Sequence, residues 1–299
     1  MSIVAIINPV SGAGADPTVA ERRIAAISNE ARRRGLSAEI HLTKGAGHAR
    51  ELAAASAAAN VDLVIVWGGD GTVNEAGGAL IHSSTTLGLI PAGSGNGLAA
   101  ALGTPREPHT ALALAFDGAT RTIDAGIMAN RPFINIAGIG FDARVARLFN
   151  ERGVGRRGGW PYIMIGVREG WRYEGVEYSI DFDGEKRRVR ALLIAFANGR
   201  EYGMGACIAP LAELDDRLLD ATLVEYLPML ARFWDARHLA MGTAHRAKSV
   251  TTKRVTRAVI ETDGPMEFHV DGEVAVQSNR IEVQIVPAAL KVRVATAAP

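Results

Sequence analysis

Three loops and eight acids hold most of the chemistry that this chain can offer. Gly68-Gly69-Asp70-Gly71-Thr72 follows the apolar run Val61–Trp67, Gly93-Ser94-Gly95-Asn96 follows Leu87–Ile90, and Asn8-Pro9-Val10-Ser11-Gly12 follows Ile3–Ile7. A loop between a strand and a helix points backbone N–H groups outward at the positive end of the helix dipole, which suits a phosphate. Glycine lets the backbone approach the anion closely and adopt positive φ. The plainer reading is that these glycines only make tight turns. Three such loops at strand ends favour phosphate binding. Asp70 would repel a phosphate unless a cation bridged them, so it points to Mg²⁺. The loops match neither the G-x-x-x-x-G-K-[ST] order nor the G-x-G-x-x-G dinucleotide fingerprint. Phosphoryl transfer further needs an oriented hydroxyl and a carboxylate to take its proton. Candidates are Asp70, Asp124, Glu213, Asp215, Asp216, Asp220, Asp271 and Glu273.

The elements that must position these groups change in kind along the chain. Up to about residue 125, short apolar runs alternate with helical patterns: strand Ile3–Ile7, a helix from Asp16-Pro17 with Ala20, Ile24, Ile27 and Ala31 on one face, and strand Ala38–Leu42. Helix His48–Ala59, strand Val61–Trp67, helix Thr72–Ile81 and strand Leu87–Ile90 follow. That rhythm predicts a parallel sheet with covering helices. Beyond residue 125 the pattern becomes β-rich. Val176, Tyr178, Ile180 and Phe182 alternate with polar residues, Asp183-Gly184 signals a hairpin, and strand-like runs recur to Lys291–Val294. The expected organisation is an α/β domain over 1–125 and a β-rich, sandwich-like domain over 126–299.

The 299 residues allow about two domains. At 48% hydrophobic and 22% charged the composition is that of a globular protein. A net charge of +1 gives no bulk attraction to nucleic acid, and none is expected as a partner. The single cysteine, Cys207, forms no internal disulfide, which fits a reducing cytoplasm. The start of the chain reads as a strand, not a signal peptide, and no apolar run approaches the ~20 residues of a membrane span. Lipid, if met, is met from the surface.

NPVSG (Asn8–Gly12), GGDGTVNE (Gly68–Glu75), PAGSGNGLA (Pro91–Ala99), FINIAGIGFDA (Phe133–Ala143), NGREYGMG (Asn198–Gly205), IAPLAELDDRLLD (Ile208–Asp220) and VDGE (Val270–Glu273) stand in the order found in the diacylglycerol kinase catalytic-domain family. That family includes bacterial lipid kinases and sphingosine kinases, and the resemblance spans nearly the whole chain. It implies an N-terminal domain like that of NAD kinase, a C-terminal β-rich domain carrying the lipid site, ATP bound in a cleft between them, and an extreme C-terminus that returns to the first domain. It implies ATP contacts from Asn8, Pro9, Val10, Ser11, Gly12 and Thr43, from Gly68, Gly69, Asp70, Gly71, Thr72, Val73, Asn74 and Glu75, and from Ser94, Gly95 and Asn96. By the same resemblance Glu273 accepts the proton, with Asp271 as second choice and Asp70 as a rival. Asp70 is preferred as the group that positions Mg²⁺–ATP, with Asp124 completing that network. Glu213, Asp216 and Leu218 are implied to hold a second, structural Mg²⁺, the first and last through backbone carbonyls.

Plain structural readings stand beside these: Asp271-Gly272 as a hairpin turn, Asp124 as a strand-terminal turn acid, Ala212–Asp220 as a solvated acidic turn. Two departures from the family bear on the site. Arg217 stands where relatives carry glycine, beside the implied metal position. Asn96-Gly97 resembles the sphingosine kinase-like loop and hints at a sphingoid or ceramide-like acceptor. Arg152, Arg156, Arg157 and Arg168 with Trp160, Tyr162, Trp171, Arg172 and Tyr173 suit an anionic membrane surface, or a solvated loop. Lys186, Arg187, Arg188 and Arg190 read as a solvated strand face, and the region around His245 as polar surface. The expected activity is an ATP- and Mg²⁺-dependent kinase of a membrane lipid such as diacylglycerol, phosphatidylglycerol or a sphingoid lipid. It would act in the cytoplasm, peripherally at the inner membrane surface. A homodimer is allowed by the sequence without being required. The rival readings are an NAD kinase-like enzyme with a soluble acceptor and a non-catalytic lipid or nucleotide sensor.

Overall fold

A computed structural model of the chain describes residues 1–12, 17–151, 169–170, 173–203, 205–227, 247–277 and 279–295. Asp16, the residues Arg152 to Arg168, Trp171, Arg172 and His245 lie outside them. The chain forms two compact units, residues 1–123 with 288–299, and residues 124–287.

The first unit contains β1 (Ile3–Ile7), α1 (Pro17–Arg33), β2 (Glu39–Leu42), α2 (His48–Ala58), β3 (Leu63–Gly68), α3 (Asp70–Leu80), β4 (Thr86–Pro91), α4 (Gly97–Ala101), α5 (Pro108–Asp117) and the start of β5 (Ala119–Met128). Its strands run parallel in the order β2, β1, β3, β4. All residues of β1 and β3 are buried, as expected of strands covered on both faces. Ile3, Ala5, Ile7, Leu63, Ile65 and Trp67 share one face with Ile27 and Ala31 of α1 and with Ala111, Leu112, Ala115 and Phe116 of α5. α2 and α3 pack on each other and against β1 and β3. α3 begins at Asp70, two residues earlier than its sequence pattern suggests, which puts that acid in the first helical turn, where the dipole favours negative charge. The last strand of the chain, β15 (Arg280–Val294), ends in this unit: Lys291 and Val292 pair in parallel with Thr86 and Leu87 of β4.

The second unit is antiparallel. It holds the rest of β5, β6 (Arg131–Phe133), β7 (Ile136–Gly140), α6 (Phe141–Glu151), β8 (Val176–Phe182), β9 (Glu185–Ala197), β10 (Leu219–Glu225), β11 (Val250–Val255), β12 (Arg257–Glu261), β13 (Met266–Val270), β14 (Glu273–Gln277) and the first part of β15. The strand order runs β14, β13, β7, β9, β8, β12, β15, and β10 joins β9 to β11. β9 is long enough to pair with β8 along its first half and with β7 along its second. The hairpin at Asp183-Gly184 has both residues at positive φ, 52° and 92°, as a two-residue turn of mirror-image hand requires. Lys186, Arg187, Arg188 and Arg190 are exposed on β9.

A large apolar cluster lies in this unit beside a smaller one around Ile136, Ala195 and Ile208, and Phe196 is fully buried in the larger, edge-on to Phe182 with ring centroids 6.1 Å apart. Phe196→Ala removes that ring from a place the backbone cannot close. The variant is expected to lose about 3–5 kcal/mol in urea denaturation. A loss below about 1 kcal/mol would show that the cluster is not the stabilising core of the unit.

Candidate active site

The three sequence-predicted loops of the first unit are fastened to one another. Asp70 is the fastener: its Oδ2 accepts the N–H of Asn96 and its Oδ1 the N–H of Gly97, both at 2.8 Å. Asn96 closes its own loop, accepting from the Gly93 N–H at 2.8 Å and donating to the Gly93 carbonyl at 2.7 Å. The two glycine loops then cross backbone to backbone. A Cβ on Gly93 would lie 2.7 Å from the Gly69 Cα, so neither position tolerates a side chain without moving the other loop. The third loop is attached by Asn8, whose Nδ2 donates to Thr72 Oγ1 at 2.9 Å. Thr43 sits at the end of β2, its N–H donating to the Ile7 carbonyl. The cradle of glycine backbone and amides at the start of α3 is of the kind that accepts a phosphate.

Glu75 has a different task. It is buried, and its two oxygens accept the amides of Gly47 and Ala49 at the start of α2. It caps that helix, supplying acceptors to N–H groups that have none within the helix. Asn74 is buried on the same helix as Thr72 and Val73.

In the second unit the acids sort by what their oxygens hold. Asp124 lies inside β5, not at a strand end, and is 2% exposed. Its Oδ2 accepts the Arg217 N–H at 2.6 Å, its own N–H donates to the Leu214 carbonyl at 2.6 Å, and its carbonyl accepts from Asn198 Nδ2 at 2.9 Å. Asp124 is thereby joined to the Glu213–Leu218 segment. Asp216 accepts the Leu218 N–H at 3.0 Å and faces Arg254 at 2.5 Å. Burial pushes the Asp220 carboxyl above its usual range; Arg254 opposes the shift, and the charges of Asp216 and Glu213 add to it. Among the described residues no group of three or more His, Cys, Asp or Glu side chains is arranged around a metal position. The donors still fit a hydrated Mg²⁺, which needs one or two carboxylates and keeps its waters. The charges of Asp216 and Glu213, which add to the effect of burial on Asp220, are what a cation would relieve, and Arg254 supplies part of that positive charge.

Asp271 and Gly272 form the turn between β13 and β14, at φ 47° and 89°. The turn reading is thus correct, and Asp271 does more: its carboxylate accepts the amides of Ile134, Asn135 and Ile136 at 2.8–3.0 Å. Glu273, next along, faces the Arg131 guanidinium at 3.1 Å with its side chain 32% exposed. Beneath the turn lies a buried network that the sequence did not single out. His269 Nε2 meets Asp142 Oδ2 at 2.9 Å, Tyr202 donates to the same oxygen at 2.6 Å, and the Gly272 N–H donates to His269 Nδ1 at 3.2 Å. An acceptor Nδ1 leaves the proton on Nε2, directed at Asp142. A Cβ on Gly138 would fall 2.1 Å from that carboxylate, so the small residue makes room for the pair. Asp142 was visible as part of the GFDA segment, but nothing in the sequence tied it to His269.

Residues 2–128 match the family described as the diacylglycerol kinase catalytic domain, and residues 135–294 match the YegS C-terminal NAD kinase beta sandwich-like domain. A diacylglycerol kinase of Mycobacterium tuberculosis is 32% identical over 97% of this chain and 94% of its own length. A diacylglycerol kinase of Bacillus subtilis is 28% identical over 90% and 88%. A solved diacylglycerol kinase structure from Bacillus anthracis has a similar fold, with a TM-score of 0.73 at 20% identity, covering 99% of this chain and 97% of that one.

Arg217 stands at φ 66°, the left-handed region, a backbone conformation that favours the glycine the family resemblance leads one to expect there. A side chain there costs about 1–2 kcal/mol, partly offset by the greater flexibility of glycine in the unfolded chain. Arg217→Gly is therefore expected to raise stability by up to ~1 kcal/mol in chemical denaturation. A clear loss would show that the arginine side chain makes a stabilising contact that outweighs the backbone strain.

Proposed function

Because this chain belongs to the diacylglycerol kinase catalytic-domain family, whose relatives are named as lipid kinases, we propose that it transfers the γ-phosphoryl group of ATP to a hydroxyl of a membrane lipid. The observation that carries this reading is the way the acids divide. Asp70, Asp124 and Asp271 hold backbone amides, whereas Glu273 faces a side-chain cation on a partly exposed turn.

In this reading the first unit holds the nucleotide. The amides and glycines of Asn8–Gly12, Gly68–Thr72 and Ser94–Asn96 receive the phosphates, and Asp70 keeps the loops in register. The second unit supplies the base. The lipid oxygen attacks the γ-phosphorus, the bond to the bridging oxygen breaks, ADP leaves, and the hydroxyl proton passes to the Glu273 carboxylate. Arg131 faces that carboxylate at 3.1 Å, and the Asp142–His269 pair fixes the turn that leads into it. Mg²⁺, when bound, would neutralise phosphate charge; Asp70 would position the ion that accompanies the nucleotide, and Asp216 with the carbonyls of Glu213 and Leu218 would hold another. The names of the relatives make diacylglycerol the first acceptor to try. Among the described residues no helix is long and apolar enough to cross a membrane, and we take the lipid to be met at the bilayer surface.

The test is transfer of γ-labelled phosphate to diacylglycerol, phosphatidylglycerol, sphingosine, ceramide and NAD. Label is expected in a lipid. Glu273→Gln is expected to lower kcat by about 10²–10⁴-fold while leaving ATP affinity within a few-fold. Asp70→Asn is expected to lower both. Label in NAD alone, or full activity in both variants with folded protein, would overturn the reading.

A further inference from the structure

Helix α1 buries a stripe of Ala20, Arg23, Ile27 and Ala31, in which one member is a cation. Arg23 is 8% exposed. Its Nη1 donates to the Asn8 carbonyl at 2.7 Å and to Ser11 Oγ at 3.0 Å, its Nη2 to the Ser11 carbonyl at 2.8 Å, and its guanidinium lies over the Trp67 ring at 5.5 Å from the centroid. Every one of these partners is neutral. Among the described residues no carboxylate pairs with it, and burial alone draws its pKa down. A guanidinium does not escape by losing its proton, so the charge remains, held under the Asn8–Gly12 loop. Folds seldom bury a cation without an anion.

The hydrogen bonds also set the direction of the loop. In a trans peptide the carbonyl and the following N–H point opposite ways. Because the Ser11 carbonyl turns in to Arg23, the Gly12 N–H turns away from it. The Val10 N–H is taken by Asn8 Oδ1 and the Ser11 N–H by the Asn8 carbonyl, whereas the Gly12 N–H meets no acceptor among the described residues.

We propose that Arg23 is a positioning residue for the polyphosphate of the nucleotide. It holds the Asn8–Gly12 loop with carbonyls inward and the Gly12 amide outward, and the missing counter-charge is supplied by the phosphates when they bind. This inference rests on the reading of the first unit as the nucleotide-binding one.

The full chain, its Arg23→Gln variant and its Arg23→Lys variant are titrated with ATP by calorimetry and with adenosine by ligand-observed NMR. KM for ATP, kcat and nucleotide-free thermal unfolding are measured alongside. Arg23→Gln is expected to weaken ATP binding at least tenfold while adenosine stays within twofold, to raise KM for ATP more than it lowers kcat, and to flatten the salt dependence of ATP binding. Arg23→Lys, which keeps the charge and loses the fork, is expected to recover most of the ATP affinity. If the Gln variant does not fold, Arg23→Met, apolar and of similar volume, takes its place. Unchanged ATP affinity in the uncharged variant, or equal losses for ATP and adenosine, would overturn the proposal and leave the kinase reading standing. Failure of the unsubstituted chain to bind ATP would overturn both.

Discussion

A buried or half-buried loop must find acceptors for its backbone N–H groups, and in this protein short acidic side chains supply them across long stretches of sequence. One carboxylate offers about four lone-pair positions, enough for two or three amides. Asp70 holds the amides of Asn96 and Gly97, Glu75 those of Gly47 and Ala49, Asp271 those of Ile134, Asn135 and Ile136, and Asp183 those of Thr256 and Arg257. In each case the acid and the amides it serves come from different elements. The sheets set the layers of each unit, and these carboxylates set the positions of the loops at their ends.

That constraint separates acids that look alike. Asp271 and Glu273 are two residues apart in VDGE, yet one is tied to three amides and the other, half-buried at the start of β14, faces an arginine side chain. Removing the first would leave three loop donors without their acceptor, with consequences for folding. Removing the charge of the second takes away the carboxylate that faces Arg131 and leaves those three amides held. Asp142 and His269 add a layer beneath: the imidazole accepts from the Gly272 amide on one side and meets the carboxylate on the other, so the turn is held from its buried face.

Much of this was legible in the sequence because it is local. The alternation of apolar runs with helical spacing sufficed for the parallel α/β unit, since each run reports its own burial. Asp183-Gly184 and Asp271-Gly272 announce their turns because few dipeptides accept two successive positive φ values. The ordered motifs sufficed for the family. What could not be read is long-range pairing of side chains. Nothing near Asp124 shows that it holds the Arg217 amide, nothing near Glu75 shows that it caps α2, and Asp142 meets His269 only once β7, α6 and β13 are in place. Arg23 is an intermediate case. The helical spacing picked out Ala20, Ile24, Ile27 and Ala31, and nothing in that pattern marked the charged neighbour of Ile24 as lying inside.

The pairing of the end of β15 with β4 sets a timetable as well as a sheet edge. Until Lys291 and Val292 arrive, β4 is the outermost parallel strand of the first unit on that side, with its outward N–H and C=O groups lacking this partner. About 160 residues of the second unit are made between the two halves of the first. Counted from Pro91 at the end of β4 to Lys291, at ribosomal speeds of roughly 5–20 residues per second, a nascent chain carries that open strand for about 10–40 s. An interval of that length is open to any chaperone or neighbouring nascent chain able to lend a strand, so the order of synthesis makes β4 a place where this protein is exposed to misassembly while it is being made.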